Sequence, residues 1–185
     1  MTSRAVPAEQ AMGRASIATT AITIVYVVAL ALWAGGLVVL GAIVAPTVFG
    51  IVPAPTSADA MTVVFRKFDV IAISSAVVAL LAEAGLAWLR RRGDKTTRLD
   101  LARAGAMVVA AGLAIVEGTY LAPAIQALHR AGAIRGHGEG GLALERIHRQ
   151  AESAAKAELL LLFVVLVLLL TRSVRRPSVL ARESV

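Results

Sequence analysis

The sequence has no cysteine, and it lacks the short motifs on which most catalytic sites are built. The absence of cysteine excludes disulfides, thiolate metal sites and iron–sulfur clusters. No nucleophile paired with a base, no phosphate-binding loop and no metal motif such as HExxH occurs along the chain. We therefore expect neither an enzyme nor a bound cofactor.

Charged residues are scarce as well, whereas apolar residues are abundant. Charged residues make up 17% of the 185 residues and hydrophobic residues 58%, and the mean hydropathy is +0.77. A soluble domain of this size cannot bury so large an apolar fraction. The net charge is +7, but the basic residues stand in short loops beside apolar runs, which does not indicate nucleic-acid binding. The expected partners are the lipid bilayer and, at the basic loops, anionic lipid; a homo-oligomer stays open.

Four apolar segments predict an all-α fold, an integral membrane four-helix bundle. No charged residue occurs between Arg14 and Asp59, a stretch longer than the ~20 residues that cross a bilayer. The predicted spans are residues 17–44, 70–89, 102–121 and 151–171, between a tail of residues 1–16 and a basic tail of residues 172–185. A cleaved signal peptide is the alternative for the first span, but signal peptides have apolar regions of only ~7–15 residues. No internal repeat stands out.

The fourth span requires charged side chains inside the membrane. The uninterrupted apolar run from Leu159 to Thr171 would reach only ~20 Å as a helix, which is less than the hydrocarbon thickness. Basic residues from Arg172 onward fix its other end. The span must therefore begin earlier and take in three charged residues, Glu152, Lys156 and Glu158.

Basic residues also predict the orientation of the spans. They crowd the loop after span two and the tail after span four, as Arg90, Arg91, Arg92, Lys95, Arg98, Arg103, Arg172, Arg175, Arg176 and Arg182. Such loops lie in the cytoplasm. We expect a multi-pass protein of the bacterial inner (cytoplasmic) membrane with both termini in the cytoplasm, including the tail with Arg4 and Arg14. Loops 45–69 and 122–150 then face outward.

The segment between spans one and two is open to two interpretations. Pro53 and Pro55 stop the first helix. The apolar residues that follow share one helical face, namely Ala60, Met61, Val64, Phe65 and Phe68. This pattern predicts a short interfacial helix, and the alternative is that these residues form the first turns of span two.

Ionisable residues within the spans are the candidate functional residues, because each costs at least ~2.5–3.5 kcal/mol to insert. Helical spacing predicts a polar cluster in the outer half of the bundle, comprising Glu117, His148, Glu152, Lys156 and Glu158. The cluster could bind a proton or another cation, which would make the protein an ion-handling or transport-class protein. The alternatives are a structural or partner-binding subunit, in which ion pairs only fix helix packing, and plain snorkelling. Glu83 lies nearer the inner edge, where it can pair with an arginine such as Arg90.

Two further sets of residues are candidates for metal binding and for packing. His129, His148 and Glu152 emerge on the same side of the bundle, a loose constellation that leaves any metal unknown. Residues at the middle and end of span one suit close helix packing and helix termination, namely Trp33, Gly35, Gly36, Pro46 and Phe49.

Several short runs together resemble a known family. They are Leu32-Trp33-Ala34-Gly35-Gly36, Ala45-Pro46-Thr47-Val48-Phe49, Phe65, and Leu144-Glu145-Arg146-Ile147-His148-Arg149. They resemble bacterial four-helix membrane domains of unknown function related to transmembrane-protein-205-like proteins, and more weakly the copper-export-protein membrane domains. The resemblance implies the fold but no reaction. Members commonly carry Ser and Asn three and seven residues after the histidine; here those positions are Ala151 and Ala155, so Glu152 and Lys156 are candidates to replace that pair.

Overall fold

The computed structural model describes residues 6–91 and 96–174, and the side chains of residues 16–91 and 96–171. This part of the chain is helical and contains no strand. Four helical segments are long and apolar enough to cross a membrane: Ser16–Ile51, Thr56–Arg90, Arg98–Arg130 and Gly138–Thr171. The predicted all-α architecture with four spans is confirmed. Of the basic residues used for orientation, the backbone of Arg4, Arg92, Lys95, Arg175, Arg176 and Arg182 and the side chains of Arg14 and Arg172 lie outside the described residues.

The first span continues past the proline that was expected to end it. Helix α1 (Val6–Val39) passes into a π-helical segment π1 (Leu40–Val44) and then helix α2 (Ala45–Ile51). In π1 the Ala45 N–H donates to the Leu40 carbonyl, so one extra residue is accommodated just before Pro46. That wider turn fits a residue that has no N–H to donate, so the prediction that Pro46 and Phe49 end the helix is wrong. The helix ends at Ile51, and Val52 after it has the extended backbone conformation favoured before a proline.

The second span is one continuous helix, α3 (Thr56–Arg90). The short interfacial helix predicted between spans one and two is therefore absent, and its residues form the first turns of α3, the alternative left open by the sequence. Met61 and Phe68 are buried on the same face as Ala72 and Ala76, so nothing separates the amphipathic turns from the span. Phe65 is exposed on the outside of the bundle.

The third span repeats the arrangement of the first. Helix α4 (Arg98–Val116) begins with a capping box between Thr97 and Asp100 and leads into a second π-helical segment, π2 (Glu117–Leu121). The Ala122 N–H donates to the Glu117 carbonyl, and helix α5 (Ala122–Arg130) follows with a proline in its first turn. Both π-helical segments thus have five residues and directly precede an Ala-Pro pair. This local correspondence was not apparent from the sequence.

The fourth span is the long helix α6 (Gly138–Val174) of 37 residues, about 55 Å in length. Residues 151–158 lie within it, so the charged residues before Leu159 are helical, as the length argument requires. The positions at which α6 enters and leaves the hydrocarbon layer stay a prediction.

Packing divides the bundle into two helical hairpins. Helix α1 packs mainly against α3, and α4 packs mainly against α6. Buried alanines on α3 and α4 let the helices approach closely. Gly36 serves the same purpose, because a Cβ added there would lie at 3.0 Å or less from the Phe68 ring, whereas Gly35 faces open space. Phe49 is exposed, so the predicted packing role holds for Gly36 but not for Gly35 or Phe49.

Candidate functional site

Near the loop that joins α3 to α4, four charged side chains form what we call the paired network: Glu83, Arg90, Asp100 and Arg103. The Arg103 guanidinium donates to both Glu83 carboxylate oxygens, with Nε–Oε2 at 2.9 Å and Nη2–Oε1 at 2.8 Å. Arg90 lies 3.7 Å from Glu83 and also donates to Asp100, which in turn caps α4. Two carboxylates therefore face two guanidiniums.

The paired network extends the expected contact between Glu83 and Arg90. The stronger partner, Arg103, was assigned by sequence to the membrane edge, yet it is 1% exposed. The buried Tyr26 of α1 lies close enough to Glu83 and Arg103 to interact with both. The network thus joins α3 to α4 beside a tyrosine of α1.

Farther along the bundle lies a second group, the acidic cluster, which consists of Asp69, Glu117 and Glu158. Asp69 precedes Glu83 by 14 residues on α3, and Glu117 follows Arg103 by 14 residues, so about 21 Å separates the two groups along the helices. The three carboxyl groups come from α3, π2 and α6, and each interacts electrostatically with the others. Gly118 allows α3 to pack against π2, since a Cβ there would lie 3.5 Å from the Asp69 Cβ.

Glu158 is the most buried member of the acidic cluster. The residue is 1% exposed, so the other helices of the bundle cover it. Within the described part of the chain, Glu158 Oε2 and Glu117 Oε1 are buried without a hydrogen-bond partner. Buried carboxyl oxygens without a partner carry a large desolvation cost, so these atoms call for a proton or another ligand.

Trp33 supplies the hydrogen bond that Glu158 does have. Its indole Nε1 donates to Glu158 Oε1 at 2.5 Å, and Trp33 itself is fully buried. The sequence predicts only a packing role for this tryptophan. Because the two residues are 125 positions apart, no local pattern reveals their contact. With Trp33 from α1, all four spans contribute a side chain to this level of the bundle.

No basic side chain among residues 16–91 and 96–171 forms an ion pair with Asp69, Glu117 or Glu158. Lys156 was the predicted partner of Glu117, but it lies 3.7 Å from Glu152 on the outside of the bundle, with 79% of its side chain exposed. The predicted ion pair between Glu152 and Lys156 is therefore present. The prediction that these two residues form a buried cluster with Glu117 is wrong.

The orientation of α6 explains this correction. The predicted polar arc spans ~160°, with Glu158 at one edge and Lys156 at the other. The apolar side chains Leu162, Val165 and Leu169 follow Glu158 at helical spacing and are buried, so the bundle takes in the Glu158 side. Glu152 and Lys156 consequently face outward.

The histidines form a separate pair at the end of the bundle. The rings of His129 and His148 meet edge to face, with centroids 5.9 Å apart, and His148 Nδ1 is 3.1 Å from the Leu144 carbonyl oxygen. Nearby, the Arg135 guanidinium donates to both carboxylate oxygens of Glu145, which forms an ion pair beside the histidines. In the described chain, no group of three His, Cys, Asp or Glu side chains could hold a metal. The metal candidates His129 and His148 thus meet, but Glu152 does not complete a site with them.

Asp69 is the acidic residue that sequence reasoning missed. It is the last residue of the segment predicted as an outer loop, so its charge was counted as solvated. The available signal was its position at the edge of the face formed by Phe68, Ala72 and Ala76, all of which are buried.

Comparison with known proteins places these groups in a family. No curated protein and no solved structure matches the chain. The model of a family described as a domain of unknown function, DUF4149, matches residues 28–133. The matched region includes Trp33, Asp69, Glu83, Arg103 and Glu117 and ends before α6. Since the match covers more than half of the 185 residues, this multi-pass membrane protein belongs to the DUF4149 family.

Proposed function

We propose that the protein is an ion-handling membrane protein of the transport class, and that its acidic cluster binds protons within the membrane. The observation that carries the proposal is the juxtaposition of Asp69, Glu117 and Glu158 without a basic partner among the described side chains, together with the unpaired oxygens of two of them. The acidic cluster replaces the polar cluster predicted from the sequence, and Glu117 and Glu158 belong to both.

The physical argument rests on the cost of like charges in an apolar bundle. A single ionised side chain inside a span costs at least ~2.5–3.5 kcal/mol, and two neighbouring carboxylates repel each other in addition. Binding a proton removes both costs at one carboxyl group. Because the three groups interact, they share their protons as a coupled set rather than as independent sites.

A proton fits the cluster better than a coordinated metal ion. Trp33 occupies one oxygen of Glu158, which leaves a single oxygen free. The three carboxyl groups of the acidic cluster are also not arranged to hold a metal ion together, since no three His, Cys, Asp or Glu side chains of the described residues are. A proton needs only one oxygen, whereas hard metal ions require several oxygen ligands around one point.

The alternative, that buried charges only fix helix packing, is favoured for the paired network. There each carboxylate has a guanidinium within 4 Å, so no bound ion is required. We therefore propose a structural role for Glu83, Arg90, Asp100 and Arg103 at the junction of α3 and α4.

The membrane setting is part of the proposal. From the basic residues around the α3–α4 loop we propose that the paired network lies near the cytoplasmic side of a bacterial inner membrane, with both termini in the cytoplasm and the acidic cluster in the outer half. Exposed Arg91 and Arg98 are then positioned to meet anionic lipid. The relation to transmembrane-protein-205-like proteins and the weaker one to copper-export-protein membrane domains stay predictions, as does the expectation that the protein is not an enzyme.

Infrared spectroscopy of the purified protein in lipid tests proton binding. Protonated carboxyl groups have a distinct C=O stretch, which should persist well above the ordinary carboxyl titration range of about pH 4–5 and vanish at higher pH. Glu158→Gln and Glu117→Gln should each reduce this signal, while Glu152→Gln, an exposed residue of the same helix as Glu158, should leave it unchanged. Absence of a protonated carboxyl signal at neutral pH would overturn the proposal.

Vesicles loaded with a pH-sensitive dye test the transport class. Wild-type protein should dissipate an imposed pH gradient faster than Glu158→Gln, and Glu152→Gln should behave like the wild type. Equal rates for wild type and Glu158→Gln would restrict the protein to proton binding and overturn the assignment to transport.

A further inference from the structure

Polar side-chain contacts between the two hairpins are found at two levels of the described part of the bundle. At the α3–α4 junction the hairpins are joined by Glu83–Arg103 and Arg90–Asp100. At the level of the acidic cluster the bond from Trp33 to Glu158 joins α1 of one hairpin to α6 of the other. The first connection involves paired charges, whereas the second depends on a carboxyl group that has no ion pair among the described side chains.

The strength of the Trp33–Glu158 bond depends on the charge of Glu158. An N–H donor bonds a carboxylate roughly twice as strongly as a neutral acceptor. Since Trp33 Nε1 already occupies Oε1, a proton arriving at Glu158 binds Oε2, the oxygen without a partner. No covalent bond breaks in this step, but the carboxyl group loses its charge and the indole hydrogen bond weakens.

The groups that face Glu158 are acidic on two sides. Asp69 approaches from α3 and Glu117 from π2, and α1 presents the uncharged Trp33. On α6 itself, Lys156 points outward and pairs with Glu152. Burial and the acidic surroundings oppose a negative charge on Glu158, whereas the indole N–H of Trp33 stabilises it.

We infer that Trp33 is a positioning residue and that the Trp33–Glu158 hydrogen bond is a proton-sensitive connection between the hairpins. Ionised Glu158 holds α1 against α6, and proton uptake at Oε2 loosens this contact while the paired network keeps the opposite end closed. Proton binding at Glu158 thus changes how the two hairpins pack against each other. The inference rests on the proposed function, because it requires Glu158 to gain and lose a proton.

The variant Trp33→Phe isolates the hydrogen bond, since it keeps an aromatic ring and removes the N–H. Loss of this donor should increase the proton affinity of Glu158 about tenfold, which moves the midpoint of its infrared carboxyl signal up by about one pH unit. Trp88→Phe is the matched control, because Trp88 is an exposed tryptophan on α3 near the paired network, away from the acidic cluster. It should leave the midpoint unchanged.

An unchanged midpoint in Trp33→Phe would overturn the inference while leaving the proposed function intact. A wild-type signal that does not change in Glu158→Gln would instead contradict the proposed function. The midpoint measures proton affinity, so a mere loss of packing in Trp33→Phe, which lowers stability, does not imitate the expected result.

A distance measurement tests the change in packing. The chain has no cysteine, so spin labels can be attached at Gly50→Cys on α2 and Leu142→Cys on α6, both at exposed positions. The label separation should increase as the pH falls through the midpoint of the infrared signal, and this dependence should be lost when Glu158→Gln is added. A separation that does not vary with pH, or that varies equally in the Glu158→Gln background, would overturn the inference.

Discussion

Glu83 of the paired network and Glu158 of the acidic cluster are both buried glutamates of the same bundle, yet they meet the cost of burial differently. Glu83 is held by two arginines within 4 Å, whereas Glu158 has one indole N–H and an oxygen without a partner in the described chain. The first arrangement is satisfied by the protein alone. In the second, carboxyl oxygens stay without a partner among the described residues, and this difference separates a proposed structural network from a candidate binding site.

The largest test of this comparison removes a cation from the paired network. Arg103→Ala leaves the buried Glu83 carboxylate without its main partner and should lower the free energy of unfolding by about 3–5 kcal/mol. Thermal or denaturant unfolding in detergent measures the change. The control is Arg91→Ala, an exposed arginine one residue beyond α3, which should change the stability by less than about 0.5 kcal/mol. An equal loss of stability in Arg103→Ala and Arg91→Ala would mean that the paired network contributes little to the stability of the fold.

The same substitution at both groups sharpens the comparison. Glu83→Gln weakens the charged hydrogen bonds from Arg103 and should cost about 2 kcal/mol. Glu117→Gln replaces a carboxyl group that has no basic partner among the described side chains with a neutral group of the same shape, and it should be neutral or stabilising at neutral pH. Unfolding measurements on the two variants in one detergent check this, and a large loss of stability in Glu117→Gln would show that its charge has a partner.

A third test separates packing from charge beside the acidic cluster. Gly36→Ala pushes a methyl group into the Phe68 ring, one residue from Asp69, and should cost about 1–2 kcal/mol. Gly35→Ala is the neighbouring control, because its Cβ meets open space. In thermal unfolding, Gly36→Ala should therefore have a lower Tm than Gly35→Ala. The reverse order would contradict the packing of α1 on α3.

The smallest expected effect is a dependence of stability on pH. If the folded acidic cluster holds protons that the unfolded chain releases at neutral pH, the free energy of unfolding falls as the pH rises. Between the ordinary carboxyl titration range of about pH 4–5 and the midpoint of the infrared signal, we expect a slope of at most about 1.4 kcal/mol per pH unit and per proton, measured by unfolding at several pH values in this range. Glu158→Gln should flatten it, and a wild-type stability that rises with pH in this range would contradict proton retention.

The sequence is sufficient for the parts of the structure that depend on local composition. Four apolar segments predict the spans, and a length argument places Glu158 inside a helix that begins before Leu159. The depth of Glu117 along its helix likewise follows from counting residues. These features need no knowledge of which helix packs against which.

Local composition does not predict features that depend on how each helix is rotated about its axis and on which helices pack against each other. Lys156 and Glu158 lie at opposite edges of a ~160° arc, and only the burial of Val165 and its neighbours decides which edge faces inward. The Trp33–Glu158 bond joins residues 125 positions apart and depends on tertiary packing. Asp69 was missed because loop and span meet at that residue.

The π-helical segments fix the rotation of α2 and α5 about the helix axis relative to α1 and α4. One inserted residue turns everything after it by ~100° about the helix axis, so π1 and π2 set the directions in which the side chains of α2 and α5 point. In the second case the inserted residue belongs to the same segment as Glu117, and the chain beyond it delivers His129 to His148. Deleting a single residue from Glu117–Leu121 would thus turn one histidine away from the other without altering either one.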